Sequence, residues 1–144
     1  MEANNWRTLA ITSPTPACGK TVVAINLALS IAKQTDYTAL LVDFDLRRPR
    51  VAAYLGLPKE NSFSDYLDGK IEFNDALVNP GIPRFVVLPN AIAFIPQVDC
   101  VLMVVSSGET KPAEVKECRR QLQSSNLLGV ILNKSEEVAK TYYY

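Results

Sequence analysis

The chain has 144 residues, of which 48% are hydrophobic, and its 15 basic residues balance its 15 acidic ones. That length suits one domain with a real core, and zero net charge argues against a general nucleic-acid binder. It has no histidine, which excludes His-based triads and His-ligated metals, and no apolar run is long enough to span a bilayer.

Residues 8–12 read as a strand, and residues 21–33 as a helix that is apolar almost all round. Only Asn26, Ser30 and Lys33 make a narrow polar stripe on it, so the helix is expected to lie against a sheet. Between strand and helix runs Pro14-Thr15-Pro16-Ala17-Cys18-Gly19-Lys20-Thr21. In that context Gly-Lys-Thr signals a phosphate-binding loop. Backbone N–H groups in such a turn point into one concavity at the positive end of the helix dipole. Lys20 then reaches the terminal phosphates and the Thr21 hydroxyl holds Mg²⁺. The common pattern opens with Gly five residues before the Gly-Lys pair, whereas this chain has Pro14 there. The plain alternative is a glycine turn before a helix.

Next comes Ala39-Leu40-Leu41-Val42-Asp43, a continuous apolar run ending in a carboxylate. It reads as a parallel strand buried on both faces, with Asp43 at the carboxyl end where open α/β sheets place ligand-binding groups. Asp45 follows two residues later, and Arg47, Arg48 and Pro49 complete the segment. Mg²⁺ takes oxygen ligands and keeps several waters, so one carboxylate suits the metal shell or an attacking hydroxyl and the other the metal's waters. The alternative here is a solvated acidic-basic loop.

Residues 47–60 look irregular or partly helical, with Pro49, Gly56 and Pro58 as breakers. Ser62 to Leu67 and Glu72 to Val78 are short helix candidates, and Asn79-Pro80-Gly81 is a turn. Arg84 to Leu88 and Asp99 to Val105 read as strands. A helix starts near Pro112, which costs little in a first turn, with Val115, Cys118 and Leu122 on its buried face. Leu128 to Leu132 is a last strand ending at Asn133-Lys134. Strands alternating with helices predict an α/β domain with a mostly parallel sheet. The chain closes on Tyr142, Tyr143 and Tyr144, which read as a mobile end able to enter a neighbouring molecule's site as phosphoryl acceptor. A packed or sticky terminus is the alternative.

Taken together these segments resemble the kinase domain of the bacterial tyrosine autokinases, a family similar to the deviant P-loop ATPases of cell division and partition. The resemblance is carried by Thr12 to Pro16 running into Gly19-Lys20-Thr21, by Asn26-Leu27-Ala28 and by Leu41 to Pro49. It continues through Ser64 to Leu67, Asp99 to Val105 and Gly129 to Lys134, and ends in the tyrosine tail. The Asp-x-Asp-x-Arg-x-Pro pattern at Asp43, Asp45, Arg47 and Pro49 points to the kinases over their ATPase relatives.

The resemblance implies a P-loop NTPase-like sheet over residues 1–144, flanked by helices, with a tyrosine tail at 141–144. It also implies an ATP- and Mg²⁺-dependent tyrosine autokinase that regulates exopolysaccharide synthesis and export. Thr15, Pro16, Ala17, Cys18, Gly19, Lys20, Thr21 and Val22 would wrap the nucleotide, with Lys20 on the transferring group. Thr21 and Asp43 would serve the metal, Asp43 and Asp45 the chemistry, and Asn133 the adenine edge. Tyr142, Tyr143 and Tyr144 would be phosphorylated in trans within a homo-oligomer, under a membrane-embedded export activator. A non-catalytic nucleotide-binding partner of an export complex and a partition-type ATPase are the competing functions. Three cysteines without zinc-type spacing, and an opening Met1-Glu2-Ala3-Asn4-Asn5 unlike a signal peptide, predict a cytoplasmic setting. A partner would bring the chain to the inner face of the membrane.

Two departures from the family stand out. Ala17 occupies a loop position where Gly is usual, at a cost of roughly 1 kcal/mol if that position needs positive φ. The larger departure is an absence. The family carries an apolar strand ending in a metal-binding Asp after the segment matching Phe85 to Asn90, whereas here Leu88-Pro89-Asn90 runs straight into Ala91. The sheet is therefore expected to lack a central segment after Asn90. Either the protein itself lacks it or a stretch has dropped out of the written sequence. The second is preferred, because losing a central strand exposes the apolar faces of its neighbours. Without that carboxylate, Mg²⁺ depends on Thr21, Asp43 or Asp45, waters and phosphates, which implies a slow kinase or a nucleotide-binding shell.

Overall fold

A computed structural model of the chain describes residues 4–34, 36–45, 48–58, 63–89 and 98–136. Two compact units emerge, one built from residues 1–20 and 96–144, the other from residues 21–95. Among the described residues each unit has its own parallel sheet.

The first unit contains β1 (Leu9–Thr12), β4 (Cys100–Ser106), α5 (Pro112–Gln121) and β5 (Leu127–Asn133), with strand order β1-β4-β5. All seven β4 residues are buried, as expected of an apolar strand with a neighbour on either side. Asp99 fixes the β1–β4 register at its start. Its Oδ2 accepts the Arg7 and Thr8 N–H groups at 2.8 and 2.7 Å and the Thr8 hydroxyl at 2.8 Å. The Thr8 hydroxyl first, then these two amides, hold the Asp99 carboxyl below its ordinary range. Leu9 then pairs with Cys100 and Thr12 with Met103. Helix α5 opens with Pro112 at its first position, and the Glu114 side chain accepts the Lys111 N–H at 2.8 Å. Val115, Cys118 and Leu122 form its inner face but are only half-buried.

The second unit holds almost all of α1 (Lys20–Gln34), then β2 (Ala39–Val42), α2 (Val51–Leu55), α3 (Phe63–Leu67), α4 (Phe73–Ala76) and β3 (Phe85–Leu88). Ile25, Ala28 and Ala32 of α1 pack with Ala39, Val51, Phe85 and Val87 into its core. Val22, Asn26, Ser30 and Lys33 form the exposed stripe, so the polar stripe read from the sequence is right and Val22 extends it. A smaller cluster gathers Ala76 and Leu88 with Phe63, Ile71 and Val42. Arg84 Nε donates to the Ala32 carbonyl at 3.1 Å, tying the end of α1 to the start of β3. The expected turn is present, with the Gly81 N–H donated to Asn79 Oδ1 at 2.9 Å.

One expectation for β2 fails. It is parallel to β3, but Leu40 is 49% exposed, so the strand is not buried on both faces. Side chains alternate faces along a strand: Ala39 and Leu41 pack in the core with α1, and Leu40 points to the opposite face. Among the described residues β3 alone pairs with β2, as β4 alone pairs with β1. No strand is described between β3 and β4, where the sequence lacks a segment relative to the family it resembles. Asn90 and residues 91–97 lie outside the described residues, as do Leu46, Arg47 and the tail with Tyr142, Tyr143 and Tyr144.

Candidate nucleotide-binding site

The loop between β1 and α1 has the backbone a phosphate cradle needs. Ala17 and Gly19 both take positive φ, 61° and 91°, so the chain reverses curvature twice within three residues. Alternation of this kind turns successive N–H groups toward one concavity. Glycine is required at position 19 for a second reason, since a Cβ built there would collide with the Asn133 side-chain amide. Ala17 does adopt the left-handed conformation and so carries the strain that sequence reasoning attached to it.

Side chains close the loop on itself. Lys20 Nζ donates to Ser13 Oγ at 3.0 Å, and Ser13 Oγ donates to the Thr15 carbonyl at 2.7 Å. The ammonium thus lies back across the loop it follows, where an anion bound in the loop would meet it. Cys18 is 1% exposed, with its thiol 3.1 Å from Thr15 Oγ1 and 3.5 Å from Thr110 Oγ1. Burial pushes that thiol up, but hydrogen bonding to the Thr15 and Thr110 hydroxyls outweighs it and leaves the group below the ordinary thiol range. Thr110 Oγ1 also accepts the Ser106 N–H at 3.0 Å, which links the loop to the end of β4.

Asn133, at the end of β5, meets the loop as well. Its Nδ2 donates to the Cys18 carbonyl at 2.9 Å across 115 residues of chain. No spacing signal in the sequence announces that contact, or the one to Thr110. Beside Asn133, Lys134 pairs with Glu109 at 2.8 Å, and Glu109 also accepts the Ser106 hydroxyl at 2.8 Å. Lys134 is the main cause that holds the Glu109 carboxyl below its usual range. Ser107, Gly108, Leu132, Lys134, Ser135 and Glu136 line an open cleft of about 530 Å³ here.

Thr15, Pro16, Ala17, Cys18, Gly19 and Lys20 therefore share the first unit with Asn133, while Thr21, Val22, Asp43 and Asp45 belong to the second. Thr21 and Val22 continue α1 from Lys20, with Val22 41% exposed. Asp43 is 7% exposed, at the carboxyl end of β2. Its Oδ1 accepts the Asp45 N–H at 3.1 Å, and its Oδ2 accepts the Arg50 and Val51 N–H groups at 2.9 and 3.0 Å. Asp43 thus satisfies orphan donors at the start of α2, a role its sequence context did not suggest. Asp45 Oδ1 accepts the Arg48 N–H at 3.0 Å. Among the described residues no three Asp, Glu, Cys or His side chains gather as a metal cage.

Comparison with known proteins follows the same line. No protein-family model matches the chain. Over 81 residues it is 42% identical to the putative tyrosine-protein kinase AmsA of Erwinia amylovora, covering 56% of this chain and 11% of that protein. It is 40% identical over 88 residues to the tyrosine-protein kinase Etk of Escherichia coli K12, covering 61% of this chain and 12% of the relative. The solved kinase domain of Escherichia coli Etk superposes with a TM-score of 0.77 at 27% identity, over all of this chain and 74% of that one. Both of these relatives are named tyrosine-protein kinases.

The fold is that of their P-loop kinase domains. It is shared more distantly by the septum site-determining protein MinD of Pyrococcus horikoshii, solved with Mg-ADP, with a TM-score of 0.69, 19% identity, and coverage of 89% of this chain and 72% of that one. The resemblance read from the loop, the Asp43 segment and the final strand is thus borne out. The chain spans only 11–12% of the length of AmsA and Etk. Among the described residues no helix is long and apolar enough to cross a membrane.

Proposed function

We propose that residues 1–144 serve as the catalytic domain of an ATP-dependent protein-tyrosine autokinase acting in exopolysaccharide synthesis and export. The observation that carries this reading is the loop from Ser13 to Lys20, with alternating backbone curvature at Ala17 and Gly19 and the ammonium of Lys20 folded over it. It has the form of a triphosphate cradle, and two relatives of the chain are named tyrosine-protein kinases.

In this reading the backbone from Thr15 to Thr21, with Val22 following, holds the phosphates of ATP and Lys20 neutralises charge on the γ-phosphoryl group as it moves. The Thr21 hydroxyl and the Asp43 carboxylate are the groups that would hold Mg²⁺, which when bound supplies further neutralisation of phosphate charge. Asp45, with Asp43, takes the proton of the incoming tyrosine hydroxyl. The tyrosine oxygen bonds to the γ-phosphorus, the bond to the β–γ bridging oxygen breaks, and ADP leaves. The nucleotide base occupies the cleft beside Asn133, whose Oδ1 accepts from the adenine amine. Tyr142, Tyr143 and Tyr144 are the acceptors, modified in trans between copies of the chain, at the inner face of the plasma membrane beside an embedded activator.

The test is phosphotyrosine mapping of the intact chain after incubation with ATP and Mg²⁺, with a membrane activator supplied. Phosphate on Tyr142, Tyr143 or Tyr144 is expected; no label on folded protein overturns the proposal. A second reading, a non-catalytic nucleotide-binding partner, draws support from the sequence, in which Leu88-Pro89-Asn90 runs straight into Ala91 without the Asp-ended apolar run that the family carries. Tight ATP binding with neither hydrolysis nor transfer would select it.

A further inference from the structure

The Asn133 side chain does more in this chain than face a base. Its Nδ2 donates to the Cys18 carbonyl at 2.9 Å, and it fills the space that a side chain on Gly19 would need. These two contacts fall on the two ends of one peptide unit, Cys18–Gly19. A trans peptide holds its C=O and N–H antiparallel. Holding the Cys18 carbonyl toward Asn133 therefore turns the Gly19 N–H away from it.

We propose that Asn133 is a positioning residue for phosphate binding: by pinning the Cys18 carbonyl from behind, it aims the Gly19 N–H at the bound phosphates. The inference rests on the reading of the loop as a triphosphate cradle and deepens it. Three features support it besides the hydrogen bond itself. Gly19 sits at φ 91°, a conformation it would leave readily if unpinned, because glycine populates both signs of φ. Cys18 is braced through its thiol, which contacts Thr15 and Thr110, so rotation of the Cys18–Gly19 peptide is the freedom left for Asn133 to remove. And Asn133 is itself fixed, since it is the last β5 residue, in register with Ser106, and its carbonyl accepts the Ser107 N–H at 2.8 Å.

Base reading and loop positioning make different demands on the amide. A residue that only reads adenine matters to ATP but not to inorganic tripolyphosphate. A residue that positions the loop matters equally to both. The experiment measures binding of ATP, GTP and tripolyphosphate by calorimetry on the full chain, for the wild type, Asn133→Ala and Asn133→Asp. Asn133→Asp keeps the shape and the Oδ1 acceptor but removes the donor and adds a negative charge, so Asn133→Ala is the variant that reports the lost hydrogen bond without added charge.

If the proposal holds, Asn133→Ala loses about 5- to 20-fold in tripolyphosphate affinity, the scale of one hydrogen bond to a buried carbonyl, and ATP falls in parallel. Unchanged tripolyphosphate affinity with a lower ATP-to-GTP preference overturns the proposal in favour of base reading alone. Hydrogen exchange of residues 13–20 in ligand-free protein is read alongside. Faster exchange confined to that peptide in both variants supports the proposal, and unchanged exchange overturns it. Wild-type protein that binds neither ATP nor tripolyphosphate would sink the cradle reading itself, and the exchange result would still decide whether Asn133 holds the loop.

Discussion

Strands β4 and β2 read alike in the sequence, each a continuous apolar run, and they end up in different surroundings. β4 lies between β1 and β5 and every one of its residues is buried, with Met103 and Val104 at 0% exposure. Among the described residues β2 pairs with β3 alone, and Leu40 is left 49% exposed. An apolar run thus specifies that a strand forms; how deeply it is buried depends on what packs over each face, since β3 shares the two-stranded sheet with β2 and still buries Phe85 and Val87. The loop and helix that follow β1 have their side-chain partners in place, whereas the turn after β2 relies on Asp43 to cap α2 with its own carboxylate.

The largest expected effect sharpens this contrast directly. Met103→Ala should cost about 2–5 kcal/mol in chemical denaturation, because it opens a cavity in a strand enclosed on both sides. Leu40→Ala should cost less than about 1 kcal/mol, since much of that side chain already meets solvent. Equal losses at the two positions would break the comparison. Next in size is Lys20→Ala, which should lower the rate of tyrosine phosphorylation by about 100-fold or more while leaving the unfolding midpoint nearly unchanged. A quantitative phosphotyrosine time course checks it.

A smaller effect runs in the opposite direction. Ala17→Gly should stabilise the chain by about 1 kcal/mol, because it relieves a left-handed alanine. A drop in the denaturation midpoint would show that the loop is strained elsewhere. The smallest effect is one of pH. The Asp99 carboxyl is held below its ordinary 3.8, chiefly by the Thr8 hydroxyl and then by the Arg7 and Thr8 amides. A lowered folded value means the contribution is present above pH about 3.8 and lost as pH falls through the folded value. Asp99→Asn should therefore flatten the acid limb of the stability curve below pH about 4, and an unaltered limb would put the acid sensitivity elsewhere.

Much of this architecture was legible before any coordinates. The order strand, Gly-Lys-Thr loop, helix placed β1, the cradle and α1, because Gly19-Lys20-Thr21 has one well-understood structural context. Hydrophobic runs placed β3, β4 and β5, and Asn79-Pro80-Gly81 placed its turn. What stayed hidden depends on contacts between residues far apart in the chain. Nothing near Asn133 in sequence says that its amide rests on Cys18, and nothing near Thr110 says that its hydroxyl reaches the same thiol. Asp43 was legible as a site residue from its place at a strand end, but not as the acceptor for the first amides of α2. The exposure of Leu40 was hidden for a related reason, as a continuous apolar run does not say which of its two faces the rest of the chain covers.

The burial of Cys18 has a practical corollary. A thiol only 1% exposed inside the cradle is shielded from any alkylating reagent while the loop stays closed. Its rate of labelling therefore becomes a clock for local opening. Slower labelling on addition of nucleotide would time how long the closed loop persists, with no spectroscopic probe grafted onto the protein.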